Sequence, residues 1–373
     1  MSKSFVFSAD AHVMEPSDLY LEALPTSLKR QALRARRDDS GTIIMGTEDK
    51  VIFQMPAPMV EFSGTKRKGI HDIQGRIEDM ALDGIDAEVC FPSLALWAYG
   101  LTDPEAECAN LETYNNWNNE FLGGHLDKFV RCGVLPVRDL NNTLSELKRI
   151  AGMGFTAAML PSSIPVGVPL YNDPVWDAVF KLAGDLGVVL VMHTGTGLEN
   201  VIQERGPGAA VVNYTKQMSD GIDAVTYLVA GGVLDRNPKT QVAIIECGAS
   251  WLAALAERMD EVYHAHAYFV KPKLSIQPSE IIRRQVKASF QHDRACIQSR
   301  HVTGTEALMW ASDYPHAEGT FPHSRDIVAS LFNGIDISEK EKADIIGGNA
   351  ARLFRLKHPD FMSAKADATA PPL

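Results

Sequence analysis

The stretch Ser8-Ala9-Asp10-Ala11-His12 puts a carboxylate and an imidazole two residues apart. On an extended strand such residues project to the same face, so both can reach one ion. The same residue types recur further along, each at the end of a short apolar run. His193 closes 188–192, Glu246 closes 242–245 and Asp313 closes 308–312, with His316 three residues beyond. A single polar residue after a strand is also what an ordinary loop offers. Four strands ending this way ask for an architecture that gathers strand ends around one axis. A carboxylate buried at such a place is costly unless it is paired or holds a metal.

The donor set is nitrogen and oxygen without sulfur, which suits Zn2+, Mn2+ or Fe2+ and does not choose among them. One ion is expected, and Glu246 with His316 could hold a second. The fourth apolar run, 156–160, carries no lysine, which argues against a carboxylated lysine bridging two metals.

The elements that must position these residues recur as parallel βα units. Apolar runs at 5–9, 87–91, 130–135, 157–160, 188–192, 242–245, 286–290 and 308–311 read as eight strands. Their near-continuous hydrophobicity suits strands covered on both faces. Helical patterns fall at 73–82, 104–123, 140–151, 174–186, 220–231 and 251–268. Eight strands alternating with helices predict an α/β protein, a distorted (β/α)8 TIM barrel, whose active sites lie at the C-terminal strand ends. No glycine-rich phosphate loop supports an open doubly wound sheet.

A single barrel domain over 1–357 is expected. Residues 14–72 fit no βα unit and read as an insertion after the first strand, lying over the barrel mouth. That insertion holds a charged stretch at 34–39 and a hairpin-like pair at 42–45 and 50–53. The long, Gly-rich segment 197–213 is expected to line the site. The tail 358–373, rich in Ala and Pro near its end, is expected to be loosely ordered.

Composition bounds the function. The chain has 373 residues, 45% hydrophobic and 22% charged, with a formal net charge of −11. That acidity, with no basic run longer than Lys66-Arg67-Lys68, argues against a nucleic-acid partner. Five widely spaced cysteines form no CxxC pair, as expected of reduced thiols in a cytoplasmic protein. The first residues, MSKSFVFSAD, lack the apolar core of a signal peptide. No apolar stretch approaches the roughly 20 residues that cross a bilayer, so no membrane role is expected.

Several stretches together resemble the amidohydrolase superfamily, within it the amidohydrolase-2 group of aminocarboxymuconate-semialdehyde and resorcylate decarboxylases. They are Ser8 to Pro16, Leu82 to Asp86, Leu190 to His193, Glu246 to Trp251, Trp310 to His316 and Gly348 to Phe354. The resemblance runs from about residue 5 to 357. It implies the distorted barrel and Asp10, His12, His193 and Asp313 as metal ligands. It also implies a homodimer or larger assembly, with a related second chain as an option. Two departures matter: the first strand carries Asp10-x-His12 where the group has His-x-His or Glu-x-His, and Glu246 stands where the group commonly has a catalytic histidine.

The expected function is therefore that of a metal-dependent carboxy-lyase or hydrolase acting on a small carboxylate or polar organic molecule. Glu246, Asp313 and His316 are the candidate acids and bases, and Trp251 and His292 the candidate substrate contacts. Two alternatives stand beside it. A six-residue set of Asp10, His12, His193, Glu246, Asp313 and His316 could hold two Fe or Mn ions and activate O2. A non-catalytic partner subunit is the other, although such subunits usually lose ligands. Among the remaining polar residues, Arg76 and Asp79 sit at helical pairing distance, Glu15 could brace a ligand histidine, and Cys247 is expected to face the helix layer.

Overall fold

The computed structural model describes residues 4–58, 67–198 and 201–358. Eight strands run parallel in chain order: β1 Phe7–His12, β2 Ala87–Phe91, β3 Phe129–Val134, β4 Ala157–Pro161, β5 Val189–His193, β6 Val242–Ile245, β7 Val286–Phe290 and β8 Leu308–Trp310. Each ladder joins neighbours in that order, from Phe7 opposite Ala87 to Phe290 opposite Trp310. The ring closes where β1 meets the end of β8. There Ala11 bridges Tyr314, Asp313 N donates to Asp10 O at 3.0 Å, and His12 N donates to Tyr314 O at 2.7 Å. The expected barrel is thus observed, and β1 extends through Asp10 and His12 with all six of its residues buried.

Helices on the outside cover the strands, and local sequence signals set their ends. The helix Ile73–Asp83 begins at Asp72, whose carboxylate accepts from Gly75 N at 2.7 Å, and stops at Gly84, where φ is 75°. An aspartate cap and a left-handed glycine are what helix ends require. The helix Pro104–Leu122 starts with proline in its first turn behind the cap Asp103.

A buried ion pair braces the closing seam. Arg76 Nε donates to Glu88 Oε2 at 2.7 Å, its Nη1 donates to the His12 carbonyl at 2.7 Å, and its guanidinium lies 4.1 Å from the Tyr314 ring centre. The expected Arg76–Asp79 pair does not form. Asp79 instead takes two bonds from Arg67, at 2.7 and 3.1 Å, and accepts from the Tyr314 hydroxyl. The charged strand residue Glu88 needed a buried cation, and Arg76 answers it.

The insertion folds as a three-stranded antiparallel sheet of Arg34–Arg37, Ile43–Gly46 and Val51–Met55. The stretch read as merely charged, 34–39, therefore supplies a strand; its arginines sit at the sheet edge, where Arg36 and Arg37 are exposed. Residues 59–66 of this insertion, including Lys66, and the tail beyond His358 lie outside the described residues. So do 199–200 within the Gly-rich segment, whose later part enters the helix Ala209–Lys216. Among the described residues no helix is long and apolar enough to cross a membrane.

Candidate metal centre

The C-terminal strand ends bring six side chains together. Asp10, His12, His193 and Glu246 form one group with ligand atoms within 4.8 Å of one another; His12, Glu246, Asp313 and His316 form an overlapping one. His12 Nε2 lies 3.6 Å from Asp10 Oδ1, 3.5 Å from Asp313 Oδ1 and 3.3 Å from His193 Nε2. His193 Nε2 lies 3.6 Å from Asp10 Oδ1 and 3.5 Å from Glu246 Oε2. Most of these gaps are too long for good hydrogen bonds. They match the spacing of ligand atoms about 2.1 Å from a shared cation and separated by angles of about 90–120°.

The imidazole tautomers sharpen this fit. His12 Nδ1 sits 2.9 Å from the Pro92 carbonyl and His193 Nδ1 3.0 Å from the Thr194 carbonyl. A carbonyl only accepts, so each Nδ1 carries the proton and each Nε2 presents a lone pair. Two lone pairs facing each other at 3.3 Å need a positive charge between them. The carboxylates pose the same demand: both oxygens of Asp10 are buried without a hydrogen bond, and buried Asp313 faces the imidazoles of His316 and His12. The donor set and its geometry therefore fit a divalent cation.

The electrostatics run the same way. Burial alone would lower the pKa of His193, yet Asp10 and Glu246 outweigh it and raise it to about 9. His316 is likewise lifted against burial, to about 10, by Asp313 at 2.9 Å. His12 is lowered, by burial first and then by His316. Burial and the neighbouring Asp313 push Glu246 well above the usual carboxylate range, whereas His316 and His12 outweigh burial and hold Asp313 below it. The cluster draws in positive charge, as proton or as metal.

The backbone is bent to make it. Glu246 and Asp313 adopt φ of 60° and 53°, left-handed conformations that cost a non-glycine residue free energy and concentrate at functional sites. Serines hold the seam: Ser8 Oγ donates to Asp10 O at 2.6 Å and accepts from Ser312 N at 2.7 Å. Ser289 Oγ accepts from Glu246 N at 3.0 Å. Behind β5, Asp220 receives Gly195 N at 2.8 Å and the Thr194 hydroxyl at 3.0 Å, fixing the turn that follows His193.

Above the cluster opens a cavity of about 700 Å3. His12, His193, Glu246 and His316 form part of its floor, and the insertion supplies one wall through Met45, Phe53 and Met55. Phe53 stacks on Trp97 with ring centres 4.2 Å apart and planes at 6°. On the other side of Glu246 and Asp10 lies a small chamber of about 140 Å3, lined also by Ser289, Gln291, His292 and Asp293.

The two expected substrate contacts are displaced. Trp251 is buried outside the cavity, its indole N–H bonded to Gly248 O at 2.8 Å. It begins a helix, and its side chain turns into the core rather than the mouth. His292 is exposed on the wall of the small chamber, not of the large cavity. Glu15 braces no histidine: it accepts from Tyr20 Oη and from the backbone of Ser93, Leu94 and Ala95, tying down the turn after β2. Cys247 is buried away from the cluster. Sequence reasoning missed Asp220, Phe53, Trp97 and the Arg76–Glu88 clamp. Only the clamp had a signal, the lone glutamate within an otherwise apolar strand.

A (β/α)8 barrel with a carboxylate–imidazole cluster at its C-terminal strand ends defines a class of metal-dependent barrel enzymes. The profile of the amidohydrolase family matches residues 9–356, and the chain belongs to that family. Among curated proteins it is 22% identical over 250 residues to a gamma-resorcylate decarboxylase of Rhizobium sp. strain MTP-10005, covering 62% of this chain and 71% of that one. Among solved structures it is similar to an amidohydrolase from Mycobacterium avium subsp. paratuberculosis, with a TM-score of 0.79 at 19% identity over 95% and 100% of the two chains. It is also similar to 5-carboxyvanillate decarboxylase from Novosphingobium aromaticivorans, solved with manganese and 4-hydroxy-3-methoxy-5-nitrobenzoic acid. That likeness has a TM-score of 0.67 at 16% identity, over 95% and 96% of the chains.

Proposed function

We propose that this protein is a metal-dependent carboxy-lyase, removing CO2 from an organic acid. The observation that carries the reading is the placement of the cluster: a cation-demanding floor under an apolar cavity, with Glu246 on the boundary between them. Similarity to decarboxylases, one of them holding manganese, supports the same reaction class. Asp10, His12, His193 and Asp313 would hold a divalent cation of the Zn, Mn or Fe kind. When bound, it acts as a Lewis acid that neutralises and orients the substrate's acidic end.

The remaining chemistry belongs to the chain. The apolar walls exclude water from the reacting carbon. The bond from that carbon to the carboxylate breaks, its electron pair stays on carbon, and CO2 leaves. Glu246 delivers a proton to the same carbon, forming the new C–H bond, and takes a replacement from solvent. His316 orients Asp313 by their 2.9 Å contact. Hydrolysis would instead need a carboxylate to take a proton from water, which is the role Asp313 or Glu246 would then fill.

The test is turnover of a panel of aromatic and aliphatic acids in D2O under anaerobic conditions, with CO2 trapped and the product examined for deuterium. One CO2 per turnover, deuterium at the vacated carbon and roughly a 100- to 10,000-fold loss in Glu246→Gln support a lyase. Product formed with water consumed and no CO2 sinks the lyase reading in favour of hydrolysis.

A second reading has its own observation. The two overlapping groups share His12 and Glu246 and offer six donors, enough for two ions. On that reading the site binds two Fe or Mn ions and activates O2. Two such ions per chain in the purified protein, together with O2 uptake tied to turnover, would favour it.

A further inference from the structure

The cavity over the cluster is much larger than a single-ring acid requires. An apolar cavity of about 150 Å3 accommodates benzene. The 700 Å3 here equals roughly four to five such volumes. Its character is as informative as its size. Met14, Met45, Met55, Leu96 and the stacked Phe53–Trp97 pair give it an apolar wall, and stacking holds those two rings in fixed positions. The helix Ala209–Lys216 lines another part of the space, through Ala209, Ala210, Asn213 and Tyr214.

Charge in this cavity is sparse beyond the cluster. Glu204, Arg205 and Glu318 contribute to its lining, and Glu204 is already paired with Lys216 at 3.0 Å. A substrate with a phosphorylated or otherwise polyanionic body would meet two carboxylates and one guanidinium there, so its charges would go largely unanswered. An uncharged body fits better. A flexible acyl chain would lose rotamer freedom on binding, whereas a rigid ring system packs against Phe53 and Trp97 without that cost. The methionines around it adapt their shape to irregular outlines.

We infer that the substrate is a lipophilic acid of several rings, with its one acidic group at the cluster and an uncharged body filling the space lined by Phe53, Trp97, Ala209 and Ala210. This assignment of substrate class rests on the carboxy-lyase reading for what happens at the acidic end. The size and polarity of the body rest on the cavity alone.

Calorimetric titration of the metal-loaded protein with benzoic, naphthoic, anthracenecarboxylic and pyrenecarboxylic acids tests it. Affinity is expected to rise at least roughly 100-fold from one ring to the largest body, with an increasingly negative heat-capacity change as apolar surface is buried. Ala210 is exposed on its helix, so Ala210→Phe should fold normally while filling the space. It should weaken the largest acid at least tenfold and leave benzoic acid unchanged; Phe53→Ala should also weaken the largest acid, by removing a ring it packs against. Equal affinities across the series, or variants that weaken every acid alike, would overturn the inference.

Trapped CO2 from the same samples separates this inference from the one beneath it. Tight binding of the multi-ring acids with no CO2 from any acid keeps the substrate size and sinks the lyase. CO2 from single-ring acids, with no gain in affinity or turnover on adding rings, keeps the lyase and sinks the size.

Discussion

The floor of the cavity and its walls are built on different principles. The floor is made of residues at the ends of β1, β5, β6 and β8, fixed by barrel closure and by serines and backbone bonds that leave each side chain one position. The walls come from the insertion strand Val51–Met55 and the helix Ala209–Lys216, elements that belong to no barrel unit. The floor gathers charge where burial makes charge expensive; the walls hold almost none. On the proposed function, chemistry sits at the strand ends and recognition on the added parts, a division that βα barrels allow because strand ends and loops vary separately.

The largest test of this division strikes the floor. In Asp313→Asn the carboxylate charge beside His12 and His316 is lost while shape is kept. We expect the bound metal per chain to fall below a tenth of the wild-type content. Activity should fall roughly 1,000-fold or more, in the range seen when a unit of catalytic groups is broken. The affinity of apolar ligands for the walls should stay within about twofold, since no wall contact changes. Loss of that affinity together with the metal would show that floor and walls are one unit. Elemental analysis and calorimetry on the same preparation read both.

The next test falls on the seam beneath the floor. Arg76→Met removes the cation that faces Glu88 and the donor to the His12 carbonyl. Leaving a buried carboxylate unpaired costs about 3–5 kcal/mol, which denaturant unfolding should show directly. The double variant Arg76→Met with Glu88→Leu should recover most of that loss. Recovered stability with still-lowered metal content would separate the clamp's part in placing His12 from its part in holding the barrel shut.

A buried carboxylate with no imidazole partner provides the control for the cluster. Glu107 accepts from Val137 N and Arg138 N, both at 2.9 Å, at the turn after β3, while its other oxygen has no partner. Burial pushes its pKa up to about 7 from the ordinary 4.5. Its native state therefore binds the proton more tightly than the unfolded chain does. The stability this contributes is complete below about pH 4.5 and is lost as pH rises through 7. A shift of that size corresponds to about 3 kcal/mol. Glu107→Gln should remove most of that slope, so the variant's unfolding free energy should vary less between pH 5 and 8 than the parent's. An unchanged slope would show that Glu107 stays ionised, held by its two backbone donors alone.

The difference between floor and walls is also the difference between what the sequence discloses and what it does not. Asp10 with His12, then His193, Glu246 and Asp313, stand at the ends of four apolar runs, and counting eight such runs closes the barrel. The cluster is therefore legible before any coordinates. Its fine structure is less so, because Glu246 and Asp313 owe their orientation to left-handed backbone that no spacing reveals. The walls are legible only as segments: 14–72 and 197–213 are expected at the mouth and line the cavity there, but the individual side chains that meet are not. Phe53 and Trp97 lie 44 positions apart in segments without period, and they meet only because the insertion folds back over the mouth. Trp251 misleads for the same reason: a tryptophan five residues after Glu246 looks like a pocket residue until the helix it begins turns it inward. The charged stretch 34–39 hides a strand because an edge strand needs no apolar alternation.

The smallest expected effect is the one that most directly probes how loosely the walls are attached. Lys216 and Glu204 pair at 3.0 Å across the wall, each about half exposed at 49%. Exposed pairs of this kind contribute about 0–1 kcal/mol, because water screens the charges and ordering two long side chains costs entropy. Lys216→Ala should therefore leave the melting temperature within about 2 °C and the metal content unchanged. It should still free Glu204 to face the cavity as an unpaired carboxylate and weaken the binding of large acids by a few-fold, more at low salt than at high. A variant that loses metal or melts markedly earlier would mean that the helix Ala209–Lys216 supports the floor, and the separation between the two regions would fail at that point.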